Sequence, residues 1–363
     1  MNKYLPIIKF ILNLIHLELR LKLENLINTK SIKMTEPKPI QLGLCCLNTE
    51  LRKQKPPIFC SRTMIMRSIN EKGIDVLKGK ILQNLEDLIK MIEWNESNGI
   101  RVMRLSSDLF PHKTNPKIES YDYEFAKPLL TKIGETYKKY GHRLTFHPGQ
   151  YNVIGTSEES KLQHTIDDLS YHADVLDLIG VDKDGVMVVH GGGTYGNKPK
   201  TMDRWCENYE KLPEKIKRRL VLENCEKSYS IVDCLEISRR VNIPVVLDTH
   251  HYECFKHYNP EEAKQIKPAG EYIKEILDTW SRRGIKPKFH VSEQGSGQVG
   301  HHSDLIETIP DYLLEIPEKY GVDIDIMIEA KLKEQAIFKL YEKYPQFKCK
   351  KKYSFKIKEK SLE

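Results

Sequence analysis

From Pro39 onward, apolar and polar positions alternate between two rhythms. Short apolar runs rich in Val, Ile and Leu recur at 40–46, 101–106, 143–147, 185–190, 219–224, 244–248, 287–291 and 325–330. Runs of this length and composition fit strands buried on both faces. Between them, apolar residues recur every three or four positions. In 77–97, Leu82, Leu85, Leu88, Ile89 and Ile92 share one helical face. The same spacing predicts helices over 123–140, 158–179, 201–217, 230–241, within 260–283, and over 303–319 and 332–344. Gly99, Gly141 and Gly180 follow the first three helices as stop signals. Strands and helices in strict alternation predict an α/β chain, a (β/α)8 TIM barrel over 38–345. No GxGxxG turn follows the first strand, which argues against a doubly wound dinucleotide-binding sheet. No internal repeat is visible.

The flanks differ. Residues 1–37 are apolar but broken by Lys9, His16, Glu18, Arg20, Lys22 and Glu24, so no run approaches the ~20 apolar residues that cross a bilayer. They are expected to be an extension, an amphipathic helix being one reading; Met34 is an alternative start. Its acidic residues weigh against a transit peptide. Residues 346–363 read as a basic tail, either solvated or touching phosphates. Across the chain, 58 Lys and Arg against 51 Asp and Glu permit a polyanionic partner without demanding one. A 39% hydrophobic, 30% charged composition excludes a disordered chain. Cys45, Cys46, Cys60, Cys206, Cys225, Cys234, Cys254 and Cys349 form no CxxC pair. They read as reduced thiols of an intracellular compartment: nucleus, cytoplasm or viral factory.

Sites in such barrels form at the C-terminal strand ends. His147 ends the third strand, His190 the fourth, Glu223 the fifth and Asp248 the sixth, before Thr249-His250-His251. Lys288 and His290 lie on the seventh, His301-His302 in the loop beyond, and Glu329 ends the eighth. A lone buried histidine is more often a satisfied core group than a ligand. Six consecutive strands each ending in His, Asp or Glu are not explained by burial, because unpaired carboxylates at one rim are costly. Few Lys or Arg stand at these tips to neutralise them. Imidazoles and carboxylates converging on one rim suit divalent metals. Five histidines and three carboxylates exceed one tetrahedral shell, so two or three close ions are expected. Such clusters activate water and stabilise both oxygens of a phosphoryl displacement. His251 is preferred to His250 as ligand, since a turn after Asp248 would let 248 and 251 converge. Lys288 leaves three readings open: neutral through desolvation, chemically modified, or pointing elsewhere. Lys331 either neutralises phosphate or is a rim charge.

WNESNGIRVMRLSSDLFP, LTFHPGQY, VVHGGG, LENCE, VVLDTHHY, KFHVSEQ, HHSDLI and MIEAKLKE, in this order, resemble the UV damage endonucleases over about residues 40–340. The related endonuclease IV family shares the barrel and much of the ligand set. The resemblance implies a DNA repair endonuclease that cuts double-stranded DNA immediately 5′ of a UV photoproduct, leaving a 3′-hydroxyl and a 5′-phosphate. It implies a divalent cluster, manganese first, with zinc or magnesium as alternatives. The implied ligands are His147, His190, Glu223, Asp248, His251, His290, His302 and Glu329, with catalytic roles for Glu223, Glu329, Lys288 and His290. Lys288 matches a lysine that can be carboxylated. Gln150 and Tyr151 resemble a pair inserted beside the lesion, with Asn48 near the damaged strand. An aromatic can stack where a pair is disrupted, and a distorted lesion opens at lower cost. Leu44 stands where many members carry an aromatic. A monomer is expected. Other readings are an endonuclease IV-like abasic-site enzyme, a metal-dependent sugar isomerase or epimerase, and a barrel that binds damaged DNA without cutting it.

Overall fold

The structure, a computed structural model, describes residues 40–350. The expected extension at 1–37 and residues 351–363 of the basic tail lie outside the described residues. Eight parallel strands carry the fold: β1 (Ile40–Cys45), β2 (Val102–Arg104), β3 (Arg143–Thr145), β4 (Met187–His190), β5 (Leu220–Glu223), β6 (Val245–Val246), β7 (Lys288–Val291) and β8 (Ile324–Ile328). They pair in the orders β3-β2-β1-β8-β7 and β4-β5-β6. Single parallel bridges, Phe146 to Met187 and Asp248 to His290, join β3 to β4 and β6 to β7. The ring therefore closes as the expected (β/α)8 barrel.

The helices that cover it are α1 (Ile74–Ser97), α2 (Lys127–Tyr140), α3 (Glu159–Ile179), α4 (Lys198–Glu210), α5 (Ile231–Val241), α6 (Thr249–Tyr258), α7 (Ile273–Ser281) and α8 (Glu334–Lys343). Gly141 and Gly180 end α2 and α3 in the left-handed conformation, as their positions predict. Two expected helices, over 201–217 and 303–319, are shorter than their periodicity suggests, and the helical sequence within 260–283 is divided; proline is the reason in each. Pro213 separates α4 from the turn Glu214–Lys217. Pro268 precedes the short 3-10 turn that leads into α7. Pro310 delays the helix expected from 303, which survives as Asp311–Leu314 and Ile316–Tyr320. The turn expected after Asp248 is instead the start of α6, with Asp248 as its N-cap. The domain also runs past residue 345. Phe347 and Cys349 are buried, and the Cys349 N–H donates to the Gly99 carbonyl at 3.1 Å.

Apolar strand and helix faces fill the core, but the end of the barrel opposite the strand tips holds an ion cluster. Asp325, 1% exposed, accepts from Arg143 at 2.8 Å and Lys286 at 2.5 Å. Burial alone would raise the Asp325 carboxyl, yet Lys286 and Arg143 outweigh it and hold it below the usual range. Asp325→Ala would leave the buried Arg143 guanidinium unpaired, a loss of about 3–5 kcal/mol in urea unfolding. A depressed folded value stabilises above the unfolded one. The stability gap between the wild type and Asp325→Asn is thus expected in full at pH 7 and to close as pH falls below about 4.

Candidate metal centre

Parallel register sets the strand tips side by side. His190 of β4 pairs with Glu223 of β5, and Asp248 bridges to His290 of β7. Glu223 is fully buried at the middle of this arc. Its Oε2 lies 2.9 Å from His147 Nε2 and 3.7 Å from His190 Nε2. Its Oε1 lies 2.7 Å from His290 Nδ1 and 3.8 Å from His251 Nδ1. His290 Nδ1 also reaches Glu329 Oε1 at 3.2 Å. Burial raises the Glu223 carboxyl, but His290 and His190 overcome this and hold it well below the ordinary range. Burial in turn pushes His190 and His290 down to about 4.

Asp248 behaves in the opposite way. Its Oδ1 caps α6, accepting from the N–H groups of His250 at 2.8 Å and His251 at 2.7 Å. Asn224 braces its backbone from both sides. Its Oδ2 is buried with no protein partner. Burial, with Glu223 and Glu329 adding, raises its carboxyl to about 7. His251 rises to about 9 because Asp248, Glu223 and Glu226 overcome its burial. These are the marks of a rim short of positive charge. His147, Glu223 and His290 offer ligand atoms all within 4.8 Å of one another, and so do Glu223, Asp248 and His251. The orphaned Asp248 oxygen and the shared Glu223 fit divalent ions, whose ligands must shed their protons on binding.

The donors open onto a cleft of about 620 Å³ lined by His147, His190, His251 and Glu329, and also by Gly149 and Gln150 of the turn after β3. Gln150 and Tyr151 are both exposed, Tyr151 by 66%.

Comparison with known proteins gives this geometry a family. The sequence matches the family described as UV-endonuclease UvdE over residues 40–357. The chain belongs to the UV-endonuclease UvdE family. A relative from Acanthamoeba polyphaga mimivirus is 41% identical over 310 residues, covering 84% of this chain and 91% of the viral one. The UV-damage endonuclease of Schizosaccharomyces pombe is 40% identical over 314 residues, and the match spans 84% of this chain but 50% of the yeast protein. The crystal structure titled SacUVDE has a TM-score of 0.72 and 28% identity, and covers 85% of this chain and 99% of its own.

Within this UvdE-family barrel the expected site residues fall into place unequally. His250 stands outside both donor groups and packs against Cys254 Sγ at 3.5 Å and the His302 ring at 5.7 Å. His302 stands outside both donor groups, although Glu329 and His251 act on its charge. Asn48 is buried and does not line the cleft; its Oδ1 accepts from the Leu51 N–H at 2.7 Å. Leu44 is fully buried in β1. Lys288 does not point elsewhere. It is fully buried with Nζ 2.8 Å from His290 Nε2. Burial first, then Arg104 and Arg143, lower its ammonium to about 8.

Two residues escaped the sequence reading. Arg104, at the tip of β2, pairs with Glu329 at 2.7 Å, so the rim is not devoid of fixed cations. With His290 it holds Glu329 well below the usual carboxylate range against the effect of burial. Glu226 lies 3.7 Å from His251 Nε2. Both stand within quoted motifs, RVMRLSS and LENCE, but the apolar run at 101–106 puts the end of its strand two residues past Arg104, and Glu226 lies three residues beyond the end of β5. His251→Ala is expected to weaken divalent-metal affinity by more than about tenfold in chelator competition. His250→Ala is expected to leave it unchanged.

Proposed function

We propose that this chain nicks double-stranded DNA immediately 5′ of UV photoproducts, leaving a 3′-hydroxyl and a 5′-phosphate. It acts as a monomer and holds two to three divalent ions, manganese first. The observation that carries the reading is one cleft lined both by the buried donor set and by the exposed turn bearing Gln150. Chemistry and duplex probing then share one surface. Fungal and bacterial relatives are named UV-damage endonucleases, which supports the substrate class.

Ions bound here supply Lewis-acid stabilisation of a phosphoryl displacement. The protein's part is placement. Glu223 presents one oxygen towards His147 and His190 and the other towards His290 and His251, so it serves as the shared carboxylate. Asp248, His251 and Glu329 complete the donors, and His302 approaches from the rim. Arg104 holds Glu329, and the exposed Lys331 neutralises backbone phosphate. Lys288 is carboxylated in the working protein. Its neutral amine adds to carbon dioxide through nitrogen and releases a proton, and Arg104 and Arg143 stabilise the resulting anion. Gln150 and Tyr151 enter the duplex beside the lesion, Tyr151 by stacking. The eight free cysteines fit a reducing compartment.

A nicking assay tests this on UV-irradiated, abasic and undamaged duplexes, with manganese or a chelator, mapping both new ends. Manganese-dependent cuts just 5′ of photoproducts are expected. Cutting confined to abasic sites, or none, contradicts the proposal. Tyr151→Ala is expected to weaken binding to a lesion duplex by about 1–3 kcal/mol in fluorescence anisotropy, with undamaged DNA bound as before.

A further inference from the structure

The turn after β3 is tied to a helix by three consecutive residues. The Tyr151 hydroxyl lies 3.4 Å from Asp168 Oδ1, and Asn152 Nδ2 donates to Asp168 Oδ2 at 2.8 Å. The Val153 N–H donates to Thr165 Oγ1 at 3.1 Å. Thr165 and Asp168, three apart, lie on one face of α3. Asn152 also closes the turn on itself. Its backbone N–H and its Nδ2 both donate to the Gly149 carbonyl at 3.0 Å. The Tyr151 ring lies so close over Gly149 that a Cβ there would collide with it.

Asp168 is itself held. It is buried, and His172, one turn on, reaches its carbonyl through Nδ1 at 2.7 Å. His172 Nε2 lies 2.9 Å from Ser107 Oγ, and the Tyr171 hydroxyl donates to the Ser107 carbonyl at 2.8 Å. Ser107 lines the cleft on the β2 side. One stretch of α3 thus braces two loops of the cleft. An exposed tyrosine would otherwise sample several rotamers, and ordering it at the moment of binding weakens affinity.

We infer that Asp168 is the positioning residue of the lesion-probing turn. It fixes the turn's backbone through Asn152 and aims Tyr151 by its hydroxyl, so Gln150 and Tyr151 meet the duplex already arranged. This rests on the proposed function above. Asp168 is buried, and its side chain meets Tyr151, Asn152 and His172 rather than the donor set, so its effect falls on binding and lesion choice, not on the cutting step.

The test uses the full chain loaded with manganese and a duplex carrying one photoproduct opposite 2-aminopurine. KM, kcat and the 2-aminopurine signal are measured for wild type, Asp168→Ala, Asn152→Ala, Tyr151→Phe and the Asp168→Ala/Tyr151→Phe pair. Asp168→Ala is expected to raise KM about tenfold, leave kcat within about twofold and reduce the 2-aminopurine signal. Its effect is expected to shrink in the Tyr151→Phe background, because the two groups share one interaction. An unchanged KM overturns the inference. So does a fall in kcat alone, which would place the effect in the fold or the metal centre. Should Asp168→Ala fail to fold, Asn152→Ala and Tyr151→Phe carry the same test, each expected to raise KM alone. A wild type that does not distinguish lesion from undamaged DNA fails the proposed function and this role with it. Discrimination kept intact in every variant fails only the role of Asp168.

Discussion

A carboxylate shut away from water must find hydrogen-bond donors or positive charge, and Glu223 is ringed by the imidazoles of His147, His190, His251 and His290 within 3.8 Å. Imidazoles can give up their protons, so the electrostatics of this rim are adjustable. The opposite end of the barrel shows the contrast. There Asp325 faces Arg143 and Lys286, cations of fixed charge, and the cluster is complete without any further group. At the strand tips Glu223 and Glu329 stay ionised, Asp248 is raised towards neutrality and His251 takes up a proton. Divalent ions would replace those protons and let every donor serve at once.

Backbone geometry delivers the donors. Parallel pairing sets His190 beside Glu223 and Asp248 beside His290, while Glu223 itself registers with Val246, two residues before Asp248. The strand β6 is only two residues long, and the chain passes from it almost directly into α6. Asp248 marks that passage. One of its oxygens caps the helix, the other is left free for the site, and His251 returns towards Glu223 from the first turn. A residue with this double duty tolerates little change, since losing it uncaps a helix and removes a donor together.

The barrel was legible because buried parallel strands read as plain apolar runs, and because their tips are the place to look for chemistry. His147, His190, Glu223, Asp248, His251, His290 and Glu329 follow from that rule and do converge. What it missed has physical causes. Helical periodicity does not see that Pro213, Pro268 and Pro310 break a hydrogen-bond ladder. The strand pattern around DTHH gave no sign that Asp248 would cap a helix. Arg104 lies three residues after Arg101 in a strand that reads as core, and only the fold brings it to Glu329. Asn48 is buried, with its carbonyl oxygen engaged in a cap and its Nδ2 without a partner, which the sequence does not reveal. Asp168 belongs to a helix with no motif, and its contacts to the turn exist only in three dimensions.

The central claim is that several ions share Glu223. Anomalous diffraction from crystals grown with manganese tests it most directly. At least two peaks about 3.5–4 Å apart, both within bonding distance of Glu223, are the predicted result. A single peak, or peaks that leave Glu223 without a metal neighbour, would contradict the account.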